Sequence, residues 1–298
     1  ILSGRALAPL GQIASLATRF QQARLAMQGV NEIVRRPVER ESQTHYLTVK
    51  DIQGEFHFSA VTFFYKPELP AALKGMSVCI RPGEKVGIIG TIGCGKSTLL
   101  KMMVGLYRQN KGQITLDGVA MQQLDPCFVR DKVFLLEQNP RLFLGTLREN
   151  LQLSRLPGSL SDVDMINAAG RVGFDRFIRH HPCGLDMQIG EGGQGLSGGQ
   201  RQMVALTRMV LGSPRVVLLD EPTTGLDLQT ENIVLKGLNH WSRGRTMVVV
   251  THRLQMLNIV DRIIVMNEGR VMMDGPRDEI LKKLSGKQQS GESRAITS

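Results

Sequence analysis

Apolar positions recur at loosely helical spacing across residues 11–34, where Ile13, Leu16, Phe20, Leu25, Met27 and Val30 stand among Gln and Arg. That spacing predicts an amphipathic helix, and Pro37 predicts its end. The polar residues 41–51 read as a linker, after which the alternation in "GEFHFSAVTFFY" signals strands and a domain beginning near Ile52. Strand and helix patterns then alternate. "KVGIIG" reads as a buried strand, "KSTLLKMMVGL" as a helix and "QITLDG" as a strand, while "RVVLLDE" and "RTMVVVTH" are short apolar runs of the kind found in central parallel strands. The order predicts an α/β sheet. Between about residues 140 and 212 the β-type runs give way to helical segments, which predicts an inserted helical lobe. The polar, small-residue tail 285–298 predicts disorder.

Charge widens the choice of partner without deciding it. Lys and Arg outnumber Asp and Glu by 37 to 27, a formal net charge of +10 that suits nucleic acid, an anionic membrane surface or phosphate ligands. No RNA-binding aromatic signature or zinc-finger spacing accompanies it, so nucleic acid is not the expected partner. Cys79, Cys94, Cys127 and Cys183 are dispersed and fit reduced thiols better than a disulfide framework or a metal site. The first twenty residues are apolar but broken by Arg5, Pro9 and Arg19, so they are not expected to form a complete membrane span.

The chemistry gathers in a few short motifs. "GTIGCGKS" fits the phosphate-cradle pattern between an apolar strand and a helix. Gly90, Gly93 and Gly95 let the backbone amides turn inward, the helix N-terminus adds its positive end, and Lys96 supplies a point charge. Ser97 is the expected Mg²⁺ ligand. Asp220 and Glu221 end the strand "VVLLDE" on the edge where parallel sheets collect ligands. There Asp220 would hold Mg²⁺ through water, and Glu221 would orient and deprotonate an attacking water. His252 ends "VVVTH" and could reach a γ-phosphate; Gln138 follows "LLE" and could contact Mg²⁺ and water. Either would be unremarked alone, as a core histidine or a surface amide. A second glycine turn, "GLSGGQRQ", heads the apolar helix "MVALTRMVL". It offers Ser197 and the amides of Gly198 and Gly199 to an anion; a plain helix cap is the competing reading.

In this order, the motifs resemble the nucleotide-binding domain of ATP-binding-cassette (ABC) transporters over about residues 52–284. "GTIGCGKS" is similar to Walker A, Gln138 to the Q-loop, "LSGGQ" to the signature, "VVLLDE" to Walker B, "TTGLD" to the D-loop and His252 to the switch. The resemblance implies a P-loop NTPase with a parallel-sheet core, an antiparallel β subdomain and an inserted helical subdomain. It implies Mg-ATP hydrolysis, with Glu221, His252 and Gln138 catalytic. ATP would be bound by Gly90, Thr91, Ile92, Gly93, Cys94, Gly95, Lys96, Ser97 and Thr98, and Mg²⁺ by Ser97, Gln138 and Asp220. Tyr65 falls where the family's adenine-stacking aromatic lies, with Phe63 and Phe64 as alternatives and core packing as the competitor.

In that family two cassettes pair head to tail. The resemblance therefore implies that Leu196, Ser197, Gly198, Gly199 and Gln200 serve ATP held by a partner, with Asp227 at the seam. "RLFLGTLRENL" and Glu191 resemble the exporter branch. Residues 1–40 resemble the cytoplasmic end of the last membrane helix in bacterial type I secretion exporters, so the chain is expected to belong to a longer transporter at the cytoplasmic face of the inner membrane. Expected partners are its own membrane domain, a periplasmic adaptor, an outer-membrane channel and protein cargo. Export of lipid, peptide or drug-like cargo, and a separate importer subunit, are the alternatives. Cys94 stands where serine is common, and Met203 and Thr207 replace the usual Arg and Ala of the signature helix.

Overall fold

The computed structural model describes residues 2–36, 38–40, 45–154 and 160–289; side chains of 2–10 and 286–289 fall outside that description. The chain divides into two compact units, residues 1–44 and 45–298.

The first unit is one long helix, α1 (Leu2–Val34). It begins nine residues before the periodic stretch that predicts it, because Ala6, Leu7 and Ala8 are strong helix formers that carry it through Pro9. It ends in a tightened turn, with Arg36 N donating to Ile33 O at 3.1 Å. Ile13, Leu16, Phe20, Leu25, Met27 and Val30 are each more than half exposed. Among the described residues no helix is long and apolar enough to cross a membrane.

In the second unit the chain runs through β1 (Phe56–Phe63), β2 (Leu73–Ile80), β3 (Lys85–Gly90), α2 (Lys96–Met103), β4 (Lys111–Leu116), β5 (Val119–Ala120), α3 (Pro126–Lys132) and β6 (Val133–Leu136). It continues through β7 (Gly145–Thr146), α4 (Leu147–Gln152), α5 (Asp162–Val172), α6 (Asp175–His180), β8 (Gln188–Ile189) and α7 (Gly198–Gly212). It closes with β9 (Val216–Asp220), α8 (Leu228–Trp241), β10 (Thr246–Val250), α9 (Leu254–Leu257), β11 (Arg262–Asn267), β12 (Arg270–Pro276) and α10 (Arg277–Gln289).

The central sheet has the order β12-β11-β3-β10-β9-β6, parallel except for β12 at one edge. Its central strands β9 and β10 are apolar on both faces because both are covered, whereas β12 at the edge is partly exposed. Val216 and Leu218 of β9 join one core with α2 and the antiparallel sheet β2-β1-β4-β5; Val217 and Leu219 join the other with α4, α5, α7 and α8. All four residues are inaccessible to solvent. This is the α/β architecture with an added antiparallel sheet that the sequence leads one to expect.

Three details differ from expectation. The helical segment after residue 140 carries a two-residue antiparallel ladder, Gly145 with Ile189 and Thr146 with Gln188, too short to leave an alternating pattern. Residues 285–289, expected to be disordered, are the end of α10, whose Leu281 and Leu284 pack against the larger core; residues 290–298 lie outside the described residues. Within the expected linker, Leu47 is pinned by its N–H to Gln123 O at 2.8 Å and bridges Leu124, whereas residues 41–44 lie outside the described residues.

Candidate nucleotide site

The sheet register decides what meets at its carboxyl edge. Ile88 of β3 is level with Val250 of β10, Val250 with Asp220 of β9, and Leu219 with Leu136 of β6. The residues just past these strands therefore emerge together: the loop from Gly90, Asp220 and Glu221, Thr251 and His252, and Gln138. Parallel strands present ligand-binding groups at this edge.

The loop from Gly90 to Gly95 folds over the start of α2. Gly95 takes a left-handed conformation (φ +100°), and a Cβ there would strike the carbonyl oxygen of Ala72, so only glycine fits. The Lys96 ammonium donates to the carbonyls of Gly90 and Thr91, both at 2.8 Å, which holds it at the middle of the loop. Cys94 is buried, its Sγ 3.8 Å from Lys96 Nζ, while Ile92 is 91% exposed. Thr91 Oγ1 donates to Asn267 Oδ1 at 3.0 Å.

The Ser97 hydroxyl lies near enough to the Asp220 carboxylate to favour its ionised form. Burial pushes the Asp220 carboxyl above its ordinary value, Ser97 pulls it down, neighbouring Glu221 pushes it up, and Lys96 and Lys101 pull it down. An exposed hydroxyl beside a buried carboxylate forms an oxygen donor set that fits Mg²⁺. Gln138 is exposed and begins the adjoining loop, which the ion pair of Glu137 with Lys101 at 3.4 Å ties back to α2.

Glu221 sits in the left-handed region at φ +49°, uncommon for a residue with a side chain. Its backbone N–H donates to Val250 O at 2.9 Å. Its Oε1 lies 2.7 Å from His252 Nδ1, and Thr251 Oγ1 donates to Oε2 at 3.3 Å. The two adjacent acids thus have different neighbours, with Asp220 under the influence of Ser97 and Glu221 bonded to the imidazole.

Tyr65 is half exposed in a cluster with Phe63 and Tyr107, at ring separations of 4.9 and 5.2 Å. Its hydroxyl is 2.8 Å from Thr98 Oγ1, which sets the ring beside the start of α2. Phe63 is buried and Phe64 half-buried, so Tyr65 is the most accessible of the three aromatics considered from sequence.

The second glycine turn caps α7 through a reciprocal box. Ser197 Oγ accepts from Gln200 N at 3.2 Å and Gln200 Oε1 accepts from Ser197 N at 2.8 Å. Leu196 is half-buried, Ser197 and Gly198 are exposed, and Gly199 is buried against Gly225 O, where a Cβ would come within 2.7 Å. Among the described residues no hydrogen bond or ion pair joins Gly90–Thr98 to Leu196–Gln200. Asp227 is exposed and caps α8, accepting from Gln229 N and Thr230 N at 3.0 and 2.9 Å. Met203 and Thr207 are both buried, and Thr207 Oγ1 donates back to Met203 O at 2.8 Å. Glu191 is exposed.

The profile of the ABC transporter family matches residues 73–224, just over half of the chain. The chain belongs to the ABC transporter family. Leukotoxin translocation ATP-binding protein LktB of Mannheimia glucosida and its namesake in Mannheimia haemolytica are each 35% identical over 286 residues, covering 96% of this chain and 40% of the relative. The LktB of Bibersteinia trehalosi is 34% identical over the same span. The chain therefore spans well under half the length of these curated relatives. A bacterial Atm1-family ABC exporter solved with ATP bound superposes with a TM-score of 0.81 at 28% identity, covering 92% of this chain and 48% of that one. As a member of this family, the chain carries an ATP-binding cassette on the P-loop fold.

Several residues at this edge carry no sequence signal. Tyr107 is a lone aromatic after α2. Arg208 of α7 donates to Asn150 O at 2.7 Å and Arg141 O at 3.3 Å, which staples the segment after Gln138 to the signature helix; burial lowers its guanidinium to about 10. Glu231 and Arg253 pair at 2.8 Å across 22 residues.

Proposed function

We propose that this chain is the ATP-hydrolysing cassette of an exporter and works as a head-to-tail pair. In that pair, ATP held by Gly90–Thr98 of one copy is completed by Ser197, Gly198 and Gly199 of the other. The observation that carries the reading is the contact of His252 Nδ1 with Glu221 Oε1 at 2.7 Å, next to a buried Asp220 whose carboxyl feels Ser97 and Lys96. It supports a base next to the residues proposed to bind Mg²⁺ and the phosphates.

The roles follow from chemistry. The loop amides and Lys96 bind the phosphates, Tyr65 stacks on adenine, and Ser97 and Asp220, with Gln138, hold Mg²⁺. The cation supplies positive charge against the phosphate oxygens. Glu221 accepts the proton of the attacking water, and His252 fixes which way that carboxylate points. The exposed Ser197 cap presents backbone amides at a helix N-terminus, an anion site with no phosphate loop of its own copy bonded to it.

The similarity to leukotoxin translocation proteins supports type I protein secretion as the setting. In that reading residues 1–40 are the cytoplasmic end of a membrane helix and residues 140–212 the lobe that meets the membrane domain. The assembly then sits at the cytoplasmic face of the bacterial inner membrane, with a periplasmic adaptor, an outer-membrane channel and protein cargo as partners. The test is Glu221→Gln with a dilution series of the unaltered chain. The substitution should retain ATP binding, abolish turnover and leave an ATP-dependent dimer, and turnover per molecule of the unaltered chain should fall on dilution. Unaltered hydrolysis in Glu221→Gln, or turnover independent of concentration, overturns the proposal.

A further inference from the structure

Glu231 lies in the first turn of α8 and is only 2% exposed, yet it carries a carboxylate. Both of its oxygens are used, and by different loops. Oε1 accepts from Thr223 Oγ1 at 2.7 Å, in the turn between Glu221 and Asp227. Oε2 accepts from Arg253 Nη1 at 2.8 Å, on the residue after His252.

From each partner a short path returns to Glu221. Thr224 N donates to Glu221 O at 3.1 Å on one side. On the other, Arg253 N donates to Thr251 Oγ1 at 3.1 Å, and Thr251 Oγ1 donates to Glu221 Oε2 at 3.3 Å. The path closes into a ring with Glu221 and Glu231 opposite each other. Glu231 N also donates to Asp227 O at 2.8 Å, so the same helical turn anchors the Asp227 corner.

A buried carboxylate costs desolvation that one ion pair does not fully offset, so retaining one calls for a reason beyond stability. Among the described residues, Glu231 is the side chain that hydrogen-bonds both Thr223 and Arg253, a second tie between the two loops besides that made by Glu221 itself. We propose that Glu231 is a positioning residue for hydrolysis: it joins the turn leading to Asp227 and the loop bearing His252 into one unit, which aligns His252 with Glu221. The proposal rests on the hydrolytic reading of Glu221 above.

The test compares Glu231→Gln, Arg253→Gln and the double variant in the 298-residue chain. None of the ring's groups belongs to the Gly90–Thr98 cradle, so KM for ATP should hold. Turnover should fall about a hundredfold, the size of loss that a misplacement of about 1 Å produces. Because both variants break one linkage, the double should be no slower than either single. Thr223→Val, which removes only a hydroxyl, should lower kcat in the same direction and serves if Glu231→Gln does not fold. Wild-type kcat in a folded Glu231→Gln or Thr223→Val chain overturns the proposal, as do losses that multiply in the double variant. Glu221→Gln run alongside separates the two readings. If it hydrolyses normally the base assignment fails, whereas if it is inactive and Glu231→Gln is fully active only the positioning role fails.

Discussion

Ser197 has two roles that one substitution can pull apart. Within the chain it caps α7, accepting from Gln200 N; in the proposed pair it faces a phosphate of the partner's ATP. Asp caps a helix about as well as Ser, and a negative charge suits a helix N-terminus. Ser197→Asp should therefore keep the thermal midpoint of the unaltered chain, and Ser197→Ala should lose about 1 kcal/mol. Against a total stability of about 5–15 kcal/mol, a loss of that size leaves the chain folded. Activity should behave in the opposite way. A carboxylate about 4 Å from phosphate charge, at an effective dielectric near 20, adds about 4 kcal/mol of repulsion per unit charge, or roughly a thousandfold in hydrolysis. Thermal melting and single-turnover ATP hydrolysis read the two effects separately. Mixing inactive Ser197→Asp with inactive Lys96→Ala should then restore hydrolysis. The mixed pair joins the intact phosphate loop of the first to the intact signature of the second. Normal hydrolysis by Ser197→Asp, or a mixture as inactive as its parts, refutes the shared site.

Further expectations concern the rest of the sheet edge. Tyr65→Ala should weaken ATP binding by about 1–3 kcal/mol, the worth of one base–aromatic stack, measured by nucleotide titration; unchanged affinity removes Tyr65 from the adenine site. Cys94→Ser should retain full hydrolysis, because that position contributes its backbone amide; a large loss in steady-state rate would give the buried thiol a role of its own. The Asp220 carboxyl is raised above 3.8 by burial, so the folded chain holds a proton that the unfolded chain has already released. Its contribution to stability accordingly declines as pH rises through that window. Mg-ATP, which favours the ionised form, should raise the thermal midpoint more at neutral than at mildly acidic pH, and Asp220→Asn should remove that difference.

The sheet is legible because burial on both faces leaves unbroken runs such as Val216–Leu219, and the phosphate loop because a strand, three glycines and a lysine leave few other geometries. The second glycine turn is legible as the head of an apolar helix, with an anion site and a plain cap as the competing readings. Its exposure on the folded chain is a tertiary fact and needed the structure. Glu231 and Arg253 could not be found from sequence. A Glu in the first turn of a helix reads as a solvated residue complementing the helix dipole, and nothing local marks it as 2% exposed. Nor does spacing tell Tyr107 from a surface aromatic. The early start of α1 escaped because the helical spacing of apolar residues begins only at Ile13, whereas Ala6, Leu7 and Ala8 extend the helix by propensity, which leaves no periodic mark.

The conformation of Glu221 ties the chemistry to a cost in stability. In an extended strand consecutive side chains point to opposite faces, which would bury either Asp220 or Glu221 in a core. The left-handed turn at Glu221, φ +49°, ends the strand so that both carboxylates stay at the edge, one toward Ser97 and one toward His252. For a residue with a Cβ this conformation costs roughly 1–2 kcal/mol, and for glycine almost nothing. Replacing Glu221 by Ala or by Gly removes the same carboxylate contacts in both cases, so the difference between them isolates the backbone. At an ordinary position Gly is the less stable of the two, by roughly 0.5–1 kcal/mol in a strand or helix. At position 221 the order should invert, with Glu221→Gly melting above Glu221→Ala while both fail to hydrolyse ATP. Should Ala prove the more stable, the backbone is not strained there, and the divergence of the two acids must be explained by their side chains alone.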